Sequence, residues 1–306
     1  MIQTVFSAAL PVGERLVIRK NRIGRTHAGP RISVVTGTHG DELEGQFVAF
    51  ELARRLQERP SDLSGTIDIY PALNPLGLSA HERGIPHYDI DLDRTFPGSA
   101  DGSLTEALAN AVLSDILGSN VCVDIHSSSV LVEEVTQVQV IKDGAGALTR
   151  LASLMNARLV YEKNMTTGAQ MSLSQALYRE RVPTLLVYMG AGMRLNEDAG
   201  TWVVEGILRL LEHLGAWSGP TIALPAPHVT DGSNVRSVSA DVAGIFLPRA
   251  KHGARVSTGQ TIGLICDPLA GTVKHEVTSP AGGLLFTLRT YPVVYPGSLL
   301  ARVLEV

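Results

Sequence analysis

Positive charge is not in excess in this chain: 26 Lys and Arg stand against 30 Asp and Glu, a net charge of -4. The basic footprint that would hold nucleic acid or an anionic membrane surface is missing. Cysteine is scarce, with two in 306 residues. Cys122 and Cys266 lie far apart in the apolar runs VCVDI and LICD, so buried free thiols are expected rather than a disulfide. No apolar run approaches the roughly 20 residues that span a bilayer. The first residues, MIQTVFSAALPVG, lack the positive start of a secretory signal. A cytoplasmic location is therefore the expectation, and the sequon Asn164-Met165-Thr166 carries no meaning in that setting. What is present is an ordinary globular composition, 44% hydrophobic and 18% charged with 30 Gly and 16 Pro, enough to bury a core.

From about residue 30 to 215, strands alternate with helices. ISVVTGT, TIDIYPAL, NVCVDIH and PTLLVYMG read as buried strands, being apolar runs that end in turn residues. DELEGQFVAFELARRL reads as an amphipathic helix with acids in its first turn and arginines at its end. LTEALANAVLSDILG, GALTRLASLMNA, SLSQALYRE and EDAGTWVVEGILRLLEHLG are the other helices, with Gly118 and Gly215 at helix ends. This alternation predicts an α/β fold whose mixed, mainly parallel sheet has helices on both faces. After GPTIALPAP the texture changes to short strands with frequent Gly and Pro. A weak repeat relates Gly244-Ile245-Phe246…Gly259 to Gly283-Leu284-Leu285…Gly297, predicting a smaller C-terminal all-β barrel or sandwich. The division expected is 1–220 and 221–306. The second part looks like the half-barrels of biotinyl and lipoyl carriers, but Lys274 is poorly spaced for a carrier lysine, so a structural barrel is expected.

The chemistry concentrates in Gly37-Thr38-His39-Gly40-Asp41-Glu42. His39 ends a strand and Glu42 is expected in the first turn of the next helix, so both can aim at one point at the ligand edge of an open sheet. Gly40 is expected to allow a sharp turn between them. His126, after VCVDI, supplies a third ligand from another strand end. Two His and one carboxylate leave an open fourth position, the pattern of a catalytic zinc site, although nickel, cobalt or iron accept such ligands. Asp124 is placed to orient an imidazole. His27, His213, His228, His252 and His275 read as solvated or structural. His81 and His87 lie near the site loop.

The segments GTHGDELEG, ALNPLG, DLDRTFPG and DIH, in this order, resemble the succinylglutamate desuccinylase/aspartoacylase family of the M14-type zinc carboxypeptidase superfamily. PTLLVYMG, RLNEDAG and AGIF…VTSPAGGLL are similar to its subgroup of N-acetyl-diaminobutyrate deacetylases. The resemblance implies a zinc-carboxypeptidase-like fold with one Zn2+ per chain on His39, Glu42 and His126. It implies hydrolysis of an amide bond in a small N-acyl amino acid or related compound, with water activated at the metal as nucleophile. Substrate contacts are expected from Asn74, Arg83, Asp93 and Arg94, and a homo-oligomer, dimer or higher, is expected.

Two positions depart from the family. Its Asn-Arg pair is here Asp93-Arg94. A carboxylate is an odd neighbour for a substrate carboxylate, so either Arg94 holds Asp93 or the substrate presents an ammonium there. The family's catalytic glutamate is replaced by Tyr188. With an unperturbed pKa near ~10, tyrosine is a donor and a poor base. Tyr188 and Arg94 are carried forward as the catalytic candidates, with Glu133, Glu134, Asp93 and Glu197 as possible replacement bases and Tyr291 as a contributor if the C-terminal part folds over the site. The alternatives to a hydrolase are a zinc- and ligand-binding homologue without activity, or a variant zinc enzyme that uses Tyr188 as acid or oxyanion donor.

Overall fold

The computed structural model describes residues 1–24, 29–86, 90–165 and 171–306. His27, His87 and Thr166 of the sequon lie outside these. In chain order the elements are β1 (Ile2–Ala9), β2 (Arg15–Gly24), β3 (Arg31–Thr36), α1 (Glu44–Glu58), β4 (Thr66–Tyr70), α2 (Pro75–Ala80), α3 (Leu104–Ile116), β5 (Val121–Ser127), β6 (Val132–Ile141), α4 (Ala147–Ala152), β7 (Leu159–Lys163), α5 (Leu173–Arg179), β8 (Thr184–Gly190) and α6 (Glu197–His213). The C-terminal part adds β9 (His228–Thr230), β10 (Val235–Ser239), β11 (Gly244–Pro248), β12 (Arg255–Val256), β13 (Thr261–Asp267), β14 (Thr272–Thr278), β15 (Gly283–Arg289), β16 (Val293–Val294) and β17 (Leu299–Glu305).

The main sheet runs β1-β2-β4-β3-β5-β8-β6-β15-β17-β10, with β7, β9 and β12 attached. It is not mainly parallel. β4, β3, β5 and β8 form a parallel centre, and β7 is parallel to β6 and β9. Most other pairings are antiparallel, including β1·β2, β2·β4, β6·β8 and β6·β15. The cause lies in the connections. Residues 10–14 join β1 to β2 and residues 128–131 lead from β5 to β6, both too short for the crossover that a parallel pair needs.

Helices cover both faces, as the alternation predicts. α1, α4 and α6 bury Val48, Leu52, Leu148, Val204, Ile207 and Leu211 against Ile32, Val34, Val123 and Ile125. On the other face α3 and α5 bury Leu108, Val112, Leu173 and Leu177 with Val35 and Cys122. Neighbouring residues of β3 and β5 thus enter opposite cores, which is why these strands are continuous apolar runs. α3 starts on a capping box of Ser103 and Glu106, a reciprocal arrangement that satisfies two end amides.

β14-β13-β11-β16 form a separate four-stranded sheet. It packs Phe246, Ile262 and Ile265 against Leu285, Leu300 and Val303, a two-layered β unit whose second layer is part of the main sheet and not of a separate one. Lys274 on β14 faces Asp267 at 3.9 Å. Cys122 is buried and Cys266 half-buried, both as free thiols. Among the described residues, no helix is long and apolar enough to cross a membrane.

Candidate metal centre and its cavities

The β3–α1 connection carries both His39 and Glu42. Glu42 lies in this loop, two residues ahead of the helix, and not in its first turn. His126 comes from β5, the neighbour of β3. All three are at most 4% exposed, and their ligand atoms lie within 4.8 Å of one another. Nδ1 of His39 is 2.8 Å from one Glu42 oxygen, and Nδ1 of His126 is 3.0 Å from the other. The two Nδ1 atoms are 3.2 Å apart.

The outer nitrogens explain part of this arrangement. Nε2 of His39 meets Asp91 at 2.9 Å, and Nε2 of His126 lies 3.3 Å from Asp124. The Asp91 carboxylate on Nε2 of His39 favours the Nε2–H tautomer and turns that Nδ1 inward. At His126 the nearby Asp124 makes no hydrogen bond, and His126 Nε2 and both Asp124 oxygens are buried without a partner among the described residues. Two ring nitrogens and a carboxylate so close together repel one another unless a cation stands between them, so this donor set fits a divalent metal ion.

The charges respond to this crowding. Burial disfavours the Glu42 carboxylate, but the two imidazoles outweigh it and hold its pKa far below the usual range. Burial opposes protonation of His39, yet Asp91 and Glu42 together raise its pKa. Asp91, despite its own burial, is held at about 2 by His39 and Arg83.

Gly40 serves close approach rather than a turn. A Cβ there would sit 2.0 Å from the Gly77 carbonyl carbon, while its N–H donates to the Arg83 carbonyl at 3.2 Å. Arg83, on the opposing loop, donates to Glu42 at 2.9 Å and lines the main cavity. Asn74 is buried, accepts from Gly77 N–H at 2.8 Å and donates to the Gly84 carbonyl at 2.9 Å. Its amide therefore holds the loop that bears Arg83. Arg94 is 81% exposed, 3.7 Å from Asp91, and lines a separate recess with Thr95 and Phe96.

Tyr188 on β8 is in register with His126, their rings 5.5 Å apart. Burial foremost, with Asp93, Glu42 and Asp124 nearby, pushes its hydroxyl up to about 12, so it stays a hydrogen-bond donor. It borders two cavities. The larger, about 740 Å³, extends from Glu42 and Arg83 past Gln137 and Gln139 to Lys163 and Arg302. The smaller, about 230 Å³, is lined by Asp93, Lys163, Ser172, Ser174, Tyr178 and Tyr188, among others. Asp93 is half-buried close to Asp124 and His126, and it accepts the Leu173 N–H at 3.0 Å. Burial pushes its carboxyl pKa up.

The remaining acids are sorted by the fold. Glu134 faces the larger cavity but accepts from Gln137, Thr287 and Arg302. Glu133 and Glu197 line a different recess with Glu44 and Arg194. Tyr291 is 48% exposed and borders a recess shared with Glu134 and Arg302. Sequence reasoning missed Asp91, Lys163 and Arg302. Asp91 had a signal, two residues ahead of Asp93 in the DLDR segment. Lys163 and Arg302 had none, because their strands meet the site only through sheet topology.

The chain is similar to known proteins in sequence and in fold. The family model for the succinylglutamate desuccinylase/aspartoacylase catalytic domain matches residues 28–214. N-alpha-acetyl-L-2,4-diaminobutyric acid deacetylase of Halomonas elongata is 26% identical over 298 residues, covering 91% of this chain and 83% of that protein. The product-bound ectoine utilization protein EutE (DoeB) of Ruegeria pomeroyi superposes with a TM-score of 0.84 at 20% identity, covering 100% of this chain and 95% of the other. A succinylglutamate desuccinylase/aspartoacylase from Rhodobacter sphaeroides gives 0.81 at 24% identity, with coverage of 99% and 95%. The matched span runs from β3 to the end of α6 and contains His39, Glu42 and His126, so this chain belongs to the succinylglutamate desuccinylase/aspartoacylase family.

Proposed function

We propose that the protein is a zinc-dependent deacylase that hydrolyses the amide bond of a small N-acyl amino acid. The observation that carries this reading is the inward-facing donor set of His39, Glu42 and His126 at the wall of a cavity that also holds Arg83 and Tyr188. His39, Glu42 and His126 would hold the ion, which when bound supplies Lewis-acid activation of water and of the scissile carbonyl. Asp91 keeps the His39 imidazole oriented. Arg83 offers a guanidinium, and Tyr188 a neutral O–H, to the charge that develops on the carbonyl oxygen. Asn74 positions Arg83 through its loop, and Arg94 sets the charge around Asp91 from outside. No carboxylate stands at position 188. A positioned general base contributes about 10² to 10⁴ in rate, so turnover is expected to be slow for the family.

That same tyrosine favours a second reading, a homologue that binds metal and ligand without hydrolysing it. Metal content and turnover decide between them. The purified, zinc-loaded protein is assayed against N-acetyl and N-succinyl amino acids, among them Nα-acetyl-2,4-diaminobutyrate, N-succinylglutamate and N-acetylaspartate. One zinc per chain, lost in His126→Ala, with turnover of at least one amide supports the deacylase. Bound zinc without any turnover, together with activity gained in Tyr188→Glu, would establish the second reading.

A further inference from the structure

A second group of donors lies behind the first. The His126 ring has His39 and Glu42 at its Nδ1, and on the other side of the ring its Nε2 stands 3.3 Å from an Asp124 oxygen. Asp93, Asp124 and His126 each bring a ligand atom within 4.8 Å of the others. Asp124 is 0% exposed and His126 1%. Both Asp124 oxygens and the His126 Nε2 lack a hydrogen-bond partner among the described residues. Asp93 reaches the group from the turn Leu92–Arg94 and holds the Leu173 N–H with one oxygen. Arg94 turns outward to Asp91, so neither carboxylate has a Lys or Arg within 4 Å among the described residues. Two carboxylates this close repel each other, and burying them unpaired carries a large desolvation penalty. A proton on Nε2 satisfies at most one Asp124 oxygen. One cation among the three satisfies them all, and mixed oxygen and nitrogen donors suit a divalent transition metal.

We propose that Asp93, Asp124 and Nε2 of His126 form a second divalent-cation site, joined to the first through the His126 ring. The second ion takes the place of the Nε2 proton, which leaves to solvent, and the ring becomes an imidazolate that bridges two ions. Because that proton must be displaced, the second ion binds more weakly than the first and fills when metal is in excess. Asp93 also lines the smaller cavity, so the positions that three protein donors leave open have a polar space of about 230 Å³ beside them. The carboxylate at position 93 is what completes the set. An amide there would supply no charge, and Asp124 with one ring nitrogen would be left as two donors. The inference concerns metal binding alone and is decided without turnover.

The test strips the full chain of metal with a chelator and reloads it with Cu2+, the tightest binder of the first-row divalent ions. Unpaired electrons that share a bridging imidazolate couple antiparallel. Wild-type protein is therefore expected to hold two Cu2+ per chain and to give a paramagnetic resonance signal well below that of two isolated ions. Asp93→Asn keeps an acceptor for the Leu173 N–H and should weaken the second ion by at least ~10-fold, leaving one Cu2+ with a full signal. Asp124→Asn should do the same. Glu42→Gln should disturb the first ion and leave a Cu2+ that the added Asp93→Asn removes. Wild-type protein with one Cu2+ and a full signal overturns the proposal, and this result needs no variant to fold. Two uncoupled ions, or a second ion that survives both Asp93→Asn and Asp124→Asn, also overturn it. One uncoupled ion with amide turnover leaves the deacylase reading standing, whereas a chain that binds no metal overturns both.

Discussion

Tyr188 keeps its proton because its ring is buried among carboxylates, and that sets the pH window in which it can act. A pKa raised from about 10 to about 12 favours the neutral form. The O–H donor therefore persists as pH rises through 10 and is lost only as pH approaches 12. Replacing it by Phe removes one donor aimed at developing charge, a change that costs about 10² to 10³ in kcat where such donors act on an oxyanion. The expected result is a large loss in kcat, little change in KM, and a wild-type to Tyr188→Phe ratio that stays constant from pH 7 to 10. A ratio that falls by half as pH reaches 10 would mean that the phenol titrates as an ordinary tyrosine and that its burial among carboxylates does not act on it. At this scale the convergence of His39, Glu42 and His126 was legible in sequence, since they sit where neighbouring strand ends meet. Asp91 was not, because its role depends on a loop folding back over His39. The resemblance implies a substrate contact for Arg94, and nothing in a one-dimensional pattern gives its position 3.7 Å from Asp91.

β6 shows why some elements stay hidden in the sequence. VEEVTQVQVI has too many polar residues for a core strand. Yet Val138 and Val140 enter the core beneath α4 and α6, while Glu134, Gln137 and Gln139 line the cavity. A register shift between Glu134 and Gln137 opposite β8 explains how residues of unlike parity share one face, as a bulge re-aims side chains. Polarity that looks like a loop is the wet wall of the site. The β1–β2 hairpin was missed for a related reason, since much of it is exposed at the sheet edge. α1 is the opposite case, readable and sensitive. Gly45 in its first turn packs so tightly on β3 that a Cβ would lie 2.0 Å from the Thr36 hydroxyl. Gly45→Ala must push the helix away from the strand, a repacking that costs about 1–3 kcal/mol. Because His39 and Glu42 lie between these two elements, the same shift separates the ligands. The variant is expected to show a lower denaturation midpoint and at least tenfold weaker zinc retention in a chelator competition. Normal retention with normal stability would show that the β3–α1 packing does not set the metal site.

The molecule as a whole differs most from its sequence pattern at the junction near residue 220. Composition marks a boundary there, and 1–220 with 221–306 stands as the proposed division. Hydrogen bonding crosses it. β15 pairs with β6 through Thr287↔Glu134, Leu288↔Glu133 and Arg289↔Val132, and the buried Glu134 carboxylate accepts from Thr287 at 2.8 Å and from Arg302 at 3.1 Å. The C-terminal strands also supply Phe286, Arg302 and Ser237 to the cavity wall. Without them β6 would be an open edge and Glu134 a buried charge short of partners, a condition that costs several kcal/mol. The two parts should therefore unfold in one cooperative transition by calorimetry and by denaturant. Arg302→Leu removes one partner of Glu134, so its unfolding midpoint should fall by the equivalent of about 1–3 kcal/mol, and the transition should remain single. The same variant should raise KM, because Arg302 belongs to both the strand junction and the cavity. Two resolved transitions would mean that the β6–β15 seam contributes little and that the C-terminal unit is only tethered. A single transition whose midpoint and KM shift together in Arg302→Leu would mean that the strand closing the sheet also shapes the substrate's space.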